Sequence, residues 1–527
     1  MRLMFHILKK DARRLWWEIA VSLATLALLT MYDSTRTDAV PGPMEGYLNL
    51  LLLFAWGLVA AFLIHDEALV GDRQFWVTRP YPRHVLLGAK ALALLAFVHL
   101  PYLASQGVIV AVRGFNPLDY LPALLWKQFL LALAFTLPVA ALAAVTRNLM
   151  QLVPAAVAIL VAVTVLSGGV RPMRYPWEPA VQAQELIPLF GVAVVAIAVF
   201  CLQYARRRTH LARTLAVAAL LAAALVFALL PREYVFRVQC LLDGAPVQSQ
   251  PSSATVSIET ELVAGRDRPL LPVGAVELRI PVRVSGLGQP PGTGVVDVEQ
   301  LGMYVQGPNG EQWTATRRFN RVRGDGWTSF SRSGAGSLYL ALDRHFYDRV
   351  KGAEVTIRGK VGIALYRWGA GHTIPAISDA RPVPDVGRCY GIVVEYPPPG
   401  ALKTVCESPS SLPLFTRVNL IQAGGGEVWE HWLADAATVM RYLVLNVLSP
   451  MNRAQTFFQF ASWPRGPASQ WLVPGDVLPS ATVELIPGER TRSMVFSYEI
   501  RNVALAQFSG RSVRRRDPVT DLRAPAP

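Results

Sequence analysis

The residues best suited to chemistry lie in a charged loop that joins two apolar segments. Acids end the first segment, two adjacent aromatic residues follow, and a Pro-x-Pro-Arg break leads into the next segment. This pattern is typical of a short helix lying flat at a membrane surface, with aromatic side chains for packing and charges for a partner. The alternative is an ordinary interfacial loop anchored by its tryptophan. The residues concerned are Asp66, Glu67, Asp72, Arg73, Phe75, Trp76, Arg79 and Arg83.

His99 is the ionisable residue placed most centrally in an apolar segment, two positions before Pro101. Ionisable residues inside membrane spans are candidates for a polar pathway. A hydrogen bond to a neighbouring helix is the other role open to such a histidine, and the sequence favours it.

Cys389 and Cys406 stand on either side of a proline-rich turn, and the residues just before that turn alternate as in a strand. The two cysteines could therefore close a hairpin-sized loop with a disulfide, which would suit an oxidising compartment. Two unrelated buried thiols are an equally good interpretation.

Motifs for catalysis, nucleotide binding and metal binding are missing from the sequence. A Walker A loop uses Gly-x4-Gly-Lys-Ser/Thr to cradle phosphates, and the nearest fragment, Gly359-Lys360-Val361, lacks the hydroxyl residue. No His-Glu-x-x-His, Gly-x-Ser-x-Gly or Cys-x-x-Cys occurs. We therefore expect no catalytic residue, no metal site and no cofactor bound by this chain.

The composition divides the chain into two architectures. Leu, Ala and Val dominate up to Leu230, and the remainder is polar, with many Gly, Pro and β-branched residues. Seven apolar segments are long enough to be candidate membrane-spanning helices, with six as the rival count. The segments are residues 16–31, 47–64, 85–112, 121–145, 150–166, 186–204 and 215–230.

The net charge of +14 reflects basic residues that flank the apolar segments, so we do not expect a nucleic-acid partner. Lys and Arg are concentrated before the first segment and in alternate connections after it. By the positive-inside rule, the N-terminus is cytoplasmic. Seven spans then place the chain after Leu230 outside the cytoplasm, whereas six would place it inside.

The polar part shows short alternating runs broken by Gly and Pro, which predict antiparallel sandwiches. We also expect helices over residues 343–350 and 428–448. The predicted fold is thus an α-helical polytopic membrane domain followed by a mostly β, sandwich-like extracytoplasmic region. Its parts are an amphipathic interfacial helix (1–14), a six-span core (15–205), a seventh transmembrane helix (206–230), a linker (231–254), a β-rich region (255–510, two sandwiches dividing near 398–412) and a disordered tail (511–527).

The charged loop resembles that of type-2 ATP-binding-cassette (ABC) transporter permeases. In that family an acid ends the second span, a coupling helix follows, and a proline–arginine element leads into a Leu-Leu-x-x-Lys start of the third span. The first helix, with Lys9 and Arg13, resembles the family's elbow helix. The positions that match the loop pattern are Glu67, Pro80, Arg83, Leu86, Leu87 and Lys90.

The resemblance covers roughly residues 1–205 and implies a permease subunit, of export type, in the bacterial cytoplasmic (inner) membrane. Such a subunit works as a homodimer or heterodimer in the lipid bilayer and is driven by a separate ATPase, which binds the ATP and Mg²⁺. The family core has six spans with both ends cytoplasmic. The seventh span and the β-rich region, periplasmic or extracellular, are therefore additions.

A second hypothesis is a membrane-anchored binding or sensing protein whose β region binds a partner or a glycan. Sandwich folds commonly host binding, although the fold does not specify a ligand. A third hypothesis, an enzyme with its site in the β region, has no supporting motif.

Overall fold

The protein has a helical part followed by a β-rich part. The computed structural model describes residues 2–35, 43–66, 82–170, 180–206, 208–242, 244, 247–248, 255–258, 275–286, 293–314, 326–328, 335–394, 401–409, 416–423, 428–432, 434–435, 448, 450–459 and 479–508. The predicted tail (511–527) and most of the charged loop (67–81) lie outside these residues.

Apolar helices make up the first part. Leu and Ala favour helix, and a helix pairs its own backbone N–H and C=O groups, as an apolar environment requires. The first two helices meet at an angle of 77°. The helices are α1 (Arg2–Arg14), α2 (Trp16–Thr35), α3 (Pro43–His65), α4 (Arg83–Leu94), α5 (Leu100–Val112), α6 (Leu121–Leu131), α7 (Leu137–Val145), α8 (Leu149–Val170), α9 (Ala180–Cys201), α10 (Thr209–Leu229) and α11 (Arg232–Leu242). Short π-helical turns, Leu95–His99, Ala132–Thr136 and Leu202–Arg206, follow α4, α6 and α9.

Each apolar segment predicted from the sequence coincides with one of these helices or helix pairs. Among the described residues, five stretches are long and apolar enough to cross a membrane, and the bent pair α1 and α2 would make six. Leu149–Ile159, within α8, is a shorter apolar stretch. The five are Met44–His65, His84–Val112, Leu121–Val145, Leu186–Tyr204 and Thr209–Val226.

The two ends of the helical part have different neighbours. At one end, Ile7 of α1 packs in a cluster with Ile64, Ala144 and Tyr204, which lie near the ends of α3, α7 and the π turn after α9. At the other end, the helices contact the β-rich part. We call these the α1 end and the β end.

In the β-rich part, the described strands are joined into three sheets. The longest sheet has the order β14-β13-β17-β8-β4-β5, with β1 and β9 also paired to β17; the others are β10-β11-β12-β16-β15 and β2-β3-β7-β6. The strands are β1 (Val247–Gln248), β2 (Thr255–Ile258), β3 (Ala275–Ser285), β4 (Thr293–Gln306), β5 (Gln312–Thr314), β6 (Gly326–Thr328), β7 (Ala335–Asp343), β8 (Glu354–Trp368), β9 (His372–Pro375), β10 (Ser378–Val383), β11 (Gly387–Val394), β12 (Ala401–Ser408), β13 (Thr416–Ile421), β14 (Val428–Trp432), β15 (Ala434–Asp435), β16 (Asn452–Gln459) and β17 (Thr482–Ala504).

Two apolar cores lie between these sheets, and β17 contributes to both. One core brings β3 and β7 against β8 and the second half of β17. The other brings β11, β12 and β13 against the first half of β17. The second core begins at Ile374, so the cores divide between β8 and β9 rather than near 398–412, where β11 and β12 pair directly.

The sequence also predicted two helices and a linker in this part of the chain. The helix at 343–350 is confirmed as α12 (Arg344–Val350), with the Asp343 carboxylate accepting hydrogen bonds from two backbone N–H groups of its first turn. The helix expected at 428–448 is wrong at its start, because Val428–Trp432 pairs with β13 as a strand. The expected linker at 231–254 contains helix α11.

Candidate functional site

A buried ion pair fixes helix α1 to the helices at the α1 end. Lys90 of α4 donates to Asp11 of α1 at 2.9 Å, and both side chains are at most 3% exposed. Adding a Cβ to Gly88, two residues earlier on α4, would put it 2.8 Å from the Met4 side chain, so the two helices pack closely here. Because each charge is costly to bury alone, the pair strongly specifies this arrangement of α1 on α4.

Asp66, the acid directly after α3, also binds α1. Its carboxylate pairs with Lys10 at 3.4 Å and with Arg14. His65, next to it, contacts the Thr146 hydroxyl at 3.1 Å, which ties α3 to the end of α7. Both flanks of the charged loop are therefore held by α1 or its neighbours.

Most of the charged loop predicted from the sequence lies outside the described residues. Asp66 is placed as above, and Arg83 begins α4. The others, Glu67, Asp72, Arg73, Phe75, Trp76 and Arg79, fall within 67–81.

His99 lies in a hydrogen-bonded network between helices, as the sequence favoured. Its Nδ1 is 3.1 Å from Gln128 Oε1, and its Nε2 is 3.2 Å from the Thr136 hydroxyl. Gln128 in turn donates to Gln106 Oε1 at 2.8 Å. With Gln128 Oε1 as acceptor, His99 donates from Nδ1 and accepts at Nε2, so the chain of bonds has one consistent direction.

The network sits where two helices depart from α-helical geometry. His99 ends one π turn and Thr136 ends another, and each turn is followed directly by Leu-Pro. Proline lacks a backbone N–H and crowds the preceding turn, which accounts for the widened helix at these points. The hydrogen bond between the His99 and Thr136 side chains joins the two π turns and offsets part of the backbone hydrogen bonding that is weakened there.

At the β end, Arg113 joins two helices to the β-rich part. One guanidinium nitrogen donates to the backbone oxygen of Asp33, at the end of α2, at 2.6 Å. Another pairs with Glu407 of β12 at 3.3 Å. Glu407 is 2% exposed, so the pair is buried although the two residues are 294 apart in sequence.

A second contact comes from the residues that lead into β16, namely Leu448, Pro450, Met451 and Asn452, which we call the plug segment. The Tyr102 hydroxyl donates to the backbone oxygen of Leu448, whose side chain packs within the helices beside Trp56. Met451 packs in a cluster with residues of α5 and α6. The segment therefore occupies the β end of the helical part.

Lys127 of α6 completes the attachment of the plug segment. Its ammonium donates to the Pro450 backbone oxygen at 2.9 Å and lies 3.5 Å from Asn452 Oδ1. The side chain is buried, and these oxygens supply hydrogen bonds that offset its desolvation.

Cys389 and Cys406 are joined in a disulfide and lie opposite each other on β11 and β12. Of the two interpretations the sequence left open, the structure has the bonded one. Cys406 is adjacent to Glu407, so the bond holds the strand that presents Glu407 to Arg113.

Helix α11 forms a separate attachment, between α10 and the β-rich part. Phe236 lies over Gly362 of β8 so closely that a Cβ there would be 2.7 Å from the ring. Glu233 pairs with Lys360 at 3.1 Å and with Arg237 at 2.9 Å. Hydrogen bonds from Arg237 and then Lys360 lower the pKa of the Glu233 carboxyl below its usual value.

Sequence reasoning missed Arg113, Glu407 and the plug segment. The signal available was Lys127 inside an apolar segment, since a buried lysine needs acceptors. Nothing in the sequence pattern identified which oxygens those are. Among the described residues, no group of three or more His, Cys, Asp or Glu is arranged to hold a metal ion.

Comparisons with known proteins leave the chain without an assigned family. No protein-family model and no curated protein matches it. Among solved structures, the crystal structure of red sea bream transglutaminase aligns with 52% of this chain and 34% of its own, at 11% identity and a TM-score of 0.10. The alignment thus spans about a third of that chain, and a likeness of this size carries no argument about fold or function.

Proposed function

We propose that this chain is the membrane-spanning permease subunit of an ABC transporter of export type, moving its substrate with ATP hydrolysed by a separate ATPase subunit. The observation that carries the proposal is the buried Asp11–Lys90 pair, which ties the amphipathic first helix to the start of the helix after the charged loop. Together with the Asp66 contacts, it makes α1 and both flanks of the loop one mechanical unit.

Such a unit suits a docking element for a motor subunit. A force applied to the loop between Asp66 and Pro82 would pass to α3 and α4 directly, and to α1 through its ion pairs. Buried, hydrogen-bonded charge pairs resist separation because each partner would be left uncompensated in an apolar setting.

The arrangement of the helices supports seven membrane crossings in this proposal. After α1, successive apolar segments run from the α1 end to the β end and back again. The last of them, α10, leads into α11, which contacts the β-rich part. Basic residues near the α1 end favour a cytoplasmic location for it. The β-rich part is then periplasmic or extracellular, and the membrane is the bacterial cytoplasmic membrane.

The alternative, a passive anchor for a binding or sensing region, has one favourable observation: the size of the β-rich part and its two cores. A passive anchor, however, has no need of buried contacts such as Arg113–Glu407 and Lys127–Pro450 between helices and strands. These contacts favour a part that moves with the helices.

Co-purification tests the proposal. The full chain, expressed in its native host and extracted in mild detergent, should retain an ATPase subunit. The double substitution Phe75→Ala/Trp76→Ala should remove that subunit, because it deletes the two aromatic side chains that the sequence predicts to pack against a partner.

A matched control is Trp16→Ala/Trp17→Ala, which removes two exposed aromatic side chains at the start of α2 and leaves the loop intact. This control should retain the ATPase. A wild-type complex that contains no nucleotide-binding subunit would overturn the proposal, as would equal loss in the loop variant and the control.

A further inference from the structure

Buried polar side chains are clustered in the β-end half of the helices, and we call the set from Arg113 to His99 the polar track. Nearer the β end it contains Arg113 and Ser105, and the Ser105 hydroxyl lies 2.6 Å from that of Thr30. Deeper in the helices, hydrogen bonds join Gln106 to Gln128 and Gln128 to His99. Polar residues of this kind are expensive within apolar helices and commonly line pathways for polar groups.

The plug segment reaches from the β end into the helices beside this track. The Leu448 side chain packs in a cluster with Trp56, and its backbone oxygen accepts a hydrogen bond from the Tyr102 hydroxyl. Met451 packs against α5 and α6. Lys127, one position before Gln128 of the track, binds the Pro450 oxygen. The segment thus meets both helices, α5 and α6, that carry the track.

The Arg113 side chain contacts β12, the strand that pairs with the end of the plug segment. Its partner Glu407 lies on β12, and β12 pairs with β16 so that Glu407 is opposite Arg453 and Ser408 opposite Asn452. The strand that holds the arginine therefore also holds the end of the plug segment. A displacement of β12 would release both contacts together.

We propose that the plug segment is a gate that closes the β end of the polar track, and that the Arg113–Glu407 pair is its latch. In the closed state the apolar Leu448 and Met451 side chains exclude water from the track. The track has no carboxylate between Ser105 and His99 on the described helices, so the group it suits is uncharged and hydrogen-bonding, such as an amide or hydroxyl. The inference rests on the membrane orientation proposed above, and it does not depend on the ATPase.

Thiol accessibility tests the gate. Ser105→Cys is placed in a Cys201→Ser/Cys240→Ser background, and right-side-out membrane vesicles are treated with a membrane-impermeant, positively charged methanethiosulfonate. With the gate closed, labelling should be slow. Glu407→Gln should raise the labelling rate by about tenfold or more, because it removes a charge-assisted contact to a buried arginine.

Two further variants make the test specific. Tyr102→Phe removes the hydroxyl bonds to Leu448 and to Gln106 but leaves the Arg113–Glu407 pair in place, and it should raise the rate by a smaller factor. Glu489→Gln, which breaks an exposed ion pair with Arg367 in the same part of the protein, should leave the rate unchanged. A cooperative melting transition above the labelling temperature and an intact Cys389–Cys406 bond verify that each variant is folded.

Ile377→Cys, on the exposed surface of the β-rich part, reports the orientation separately. If Ile377→Cys is not labelled, the proposed orientation fails and the gate fails with it. If Ile377→Cys is labelled while Ser105→Cys reacts at the same rate with and without Glu407→Gln, the gate alone is overturned.

Discussion

Single residues in this protein derive their importance from burial of charge. Asp11 and Lys90 pair two charges that would each be costly to bury alone, and Arg113 with Glu407 does the same at the opposite end. The exposed pairs on the strands, such as Arg367–Glu489, are of the kind that contributes little. We therefore expect substitutions in the buried pairs to change stability and mechanism far more than substitutions in the exposed pairs.

Breaking the Asp11–Lys90 pair from one side should be costly. Lys90→Met leaves Asp11 buried without its partner, and we expect a loss of ~3–5 kcal/mol in the free energy of unfolding. Thermal unfolding in detergent measures it. Asp11→Asn/Lys90→Met, which removes both charges, should recover much of the loss. Equal melting temperatures for the single and double variants would contradict this account.

The pH dependence of Glu233 gives a second prediction at this scale. Its pKa is lowered by Arg237 and Lys360, so its stabilising contribution is present at neutral pH and is lost as the pH falls through that lowered pKa. Glu233→Gln should lower stability at neutral pH by less than about 1 kcal/mol, since the site is largely exposed to water.

Unfolding curves of wild type and Glu233→Gln should thus differ at neutral pH and converge in acid. Lys360→Gln should show the same convergence, because it removes one partner of the same carboxylate. A difference between wild type and Glu233→Gln that persisted in acid would mean that the side chain acts by packing rather than charge.

At the scale of elements, close packing sets the position of α11. Gly362 of β8 leaves room for the Phe236 ring, which is almost fully buried. Gly362→Ala should displace α11 and cost ~1–3 kcal/mol by overpacking. Hydrogen exchange of the α11 amides and a melting curve measure the two effects.

Gly302 of the neighbouring strand β4 supplies the matched control. A Cβ at Gly302 meets nothing within 4 Å, so Gly302→Ala should leave α11 in place. If both alanine variants behaved alike, the change in strand propensity would explain them and the contact with Phe236 would not.

Local sequence patterns predicted those elements whose partners are nearby. The turn Gly307-Pro308-Asn309-Gly310 joins β4 and β5, and its Gly, Pro and Asn residues are typical of such turns, while Asp343 begins α12 as a capping residue. Strand β17 continues through Pro487, which lies where β17 changes partner from β13 to β8. Pairing choices of this kind depend on distant segments, which the local pattern does not contain.

The candidate site was predictable to the same limited degree. His99 could be found because a histidine in an apolar run needs a partner, and Asp66 because an acid ends a span. Arg113 looked like an ordinary loop arginine, and Glu407 like one more polar strand residue. Their pairing joins segments 294 residues apart, so only the folded chain reveals it.

At the scale of the whole molecule, contacts among the described residues hold the β-rich part to the helices at two separate places. One is the Arg113–Glu407 latch with the plug segment, and the other is α11 with Phe236 and Lys360. While one attachment holds, the other reforms within the same molecule at a high effective concentration. The two attachments should therefore protect each other.

This argument predicts that losing both attachments costs more than the sum of losing each. Glu407→Gln alone and Phe236→Ala alone should leave the two parts associated, and the combined variant should separate them. Limited proteolysis of the purified full chain measures this as cleavage near residues 242–254, which follow α11. Distant, independent sites would instead give additive effects, within about 0.5 kcal/mol. Additive changes would show that the two attachments act independently and do not protect each other.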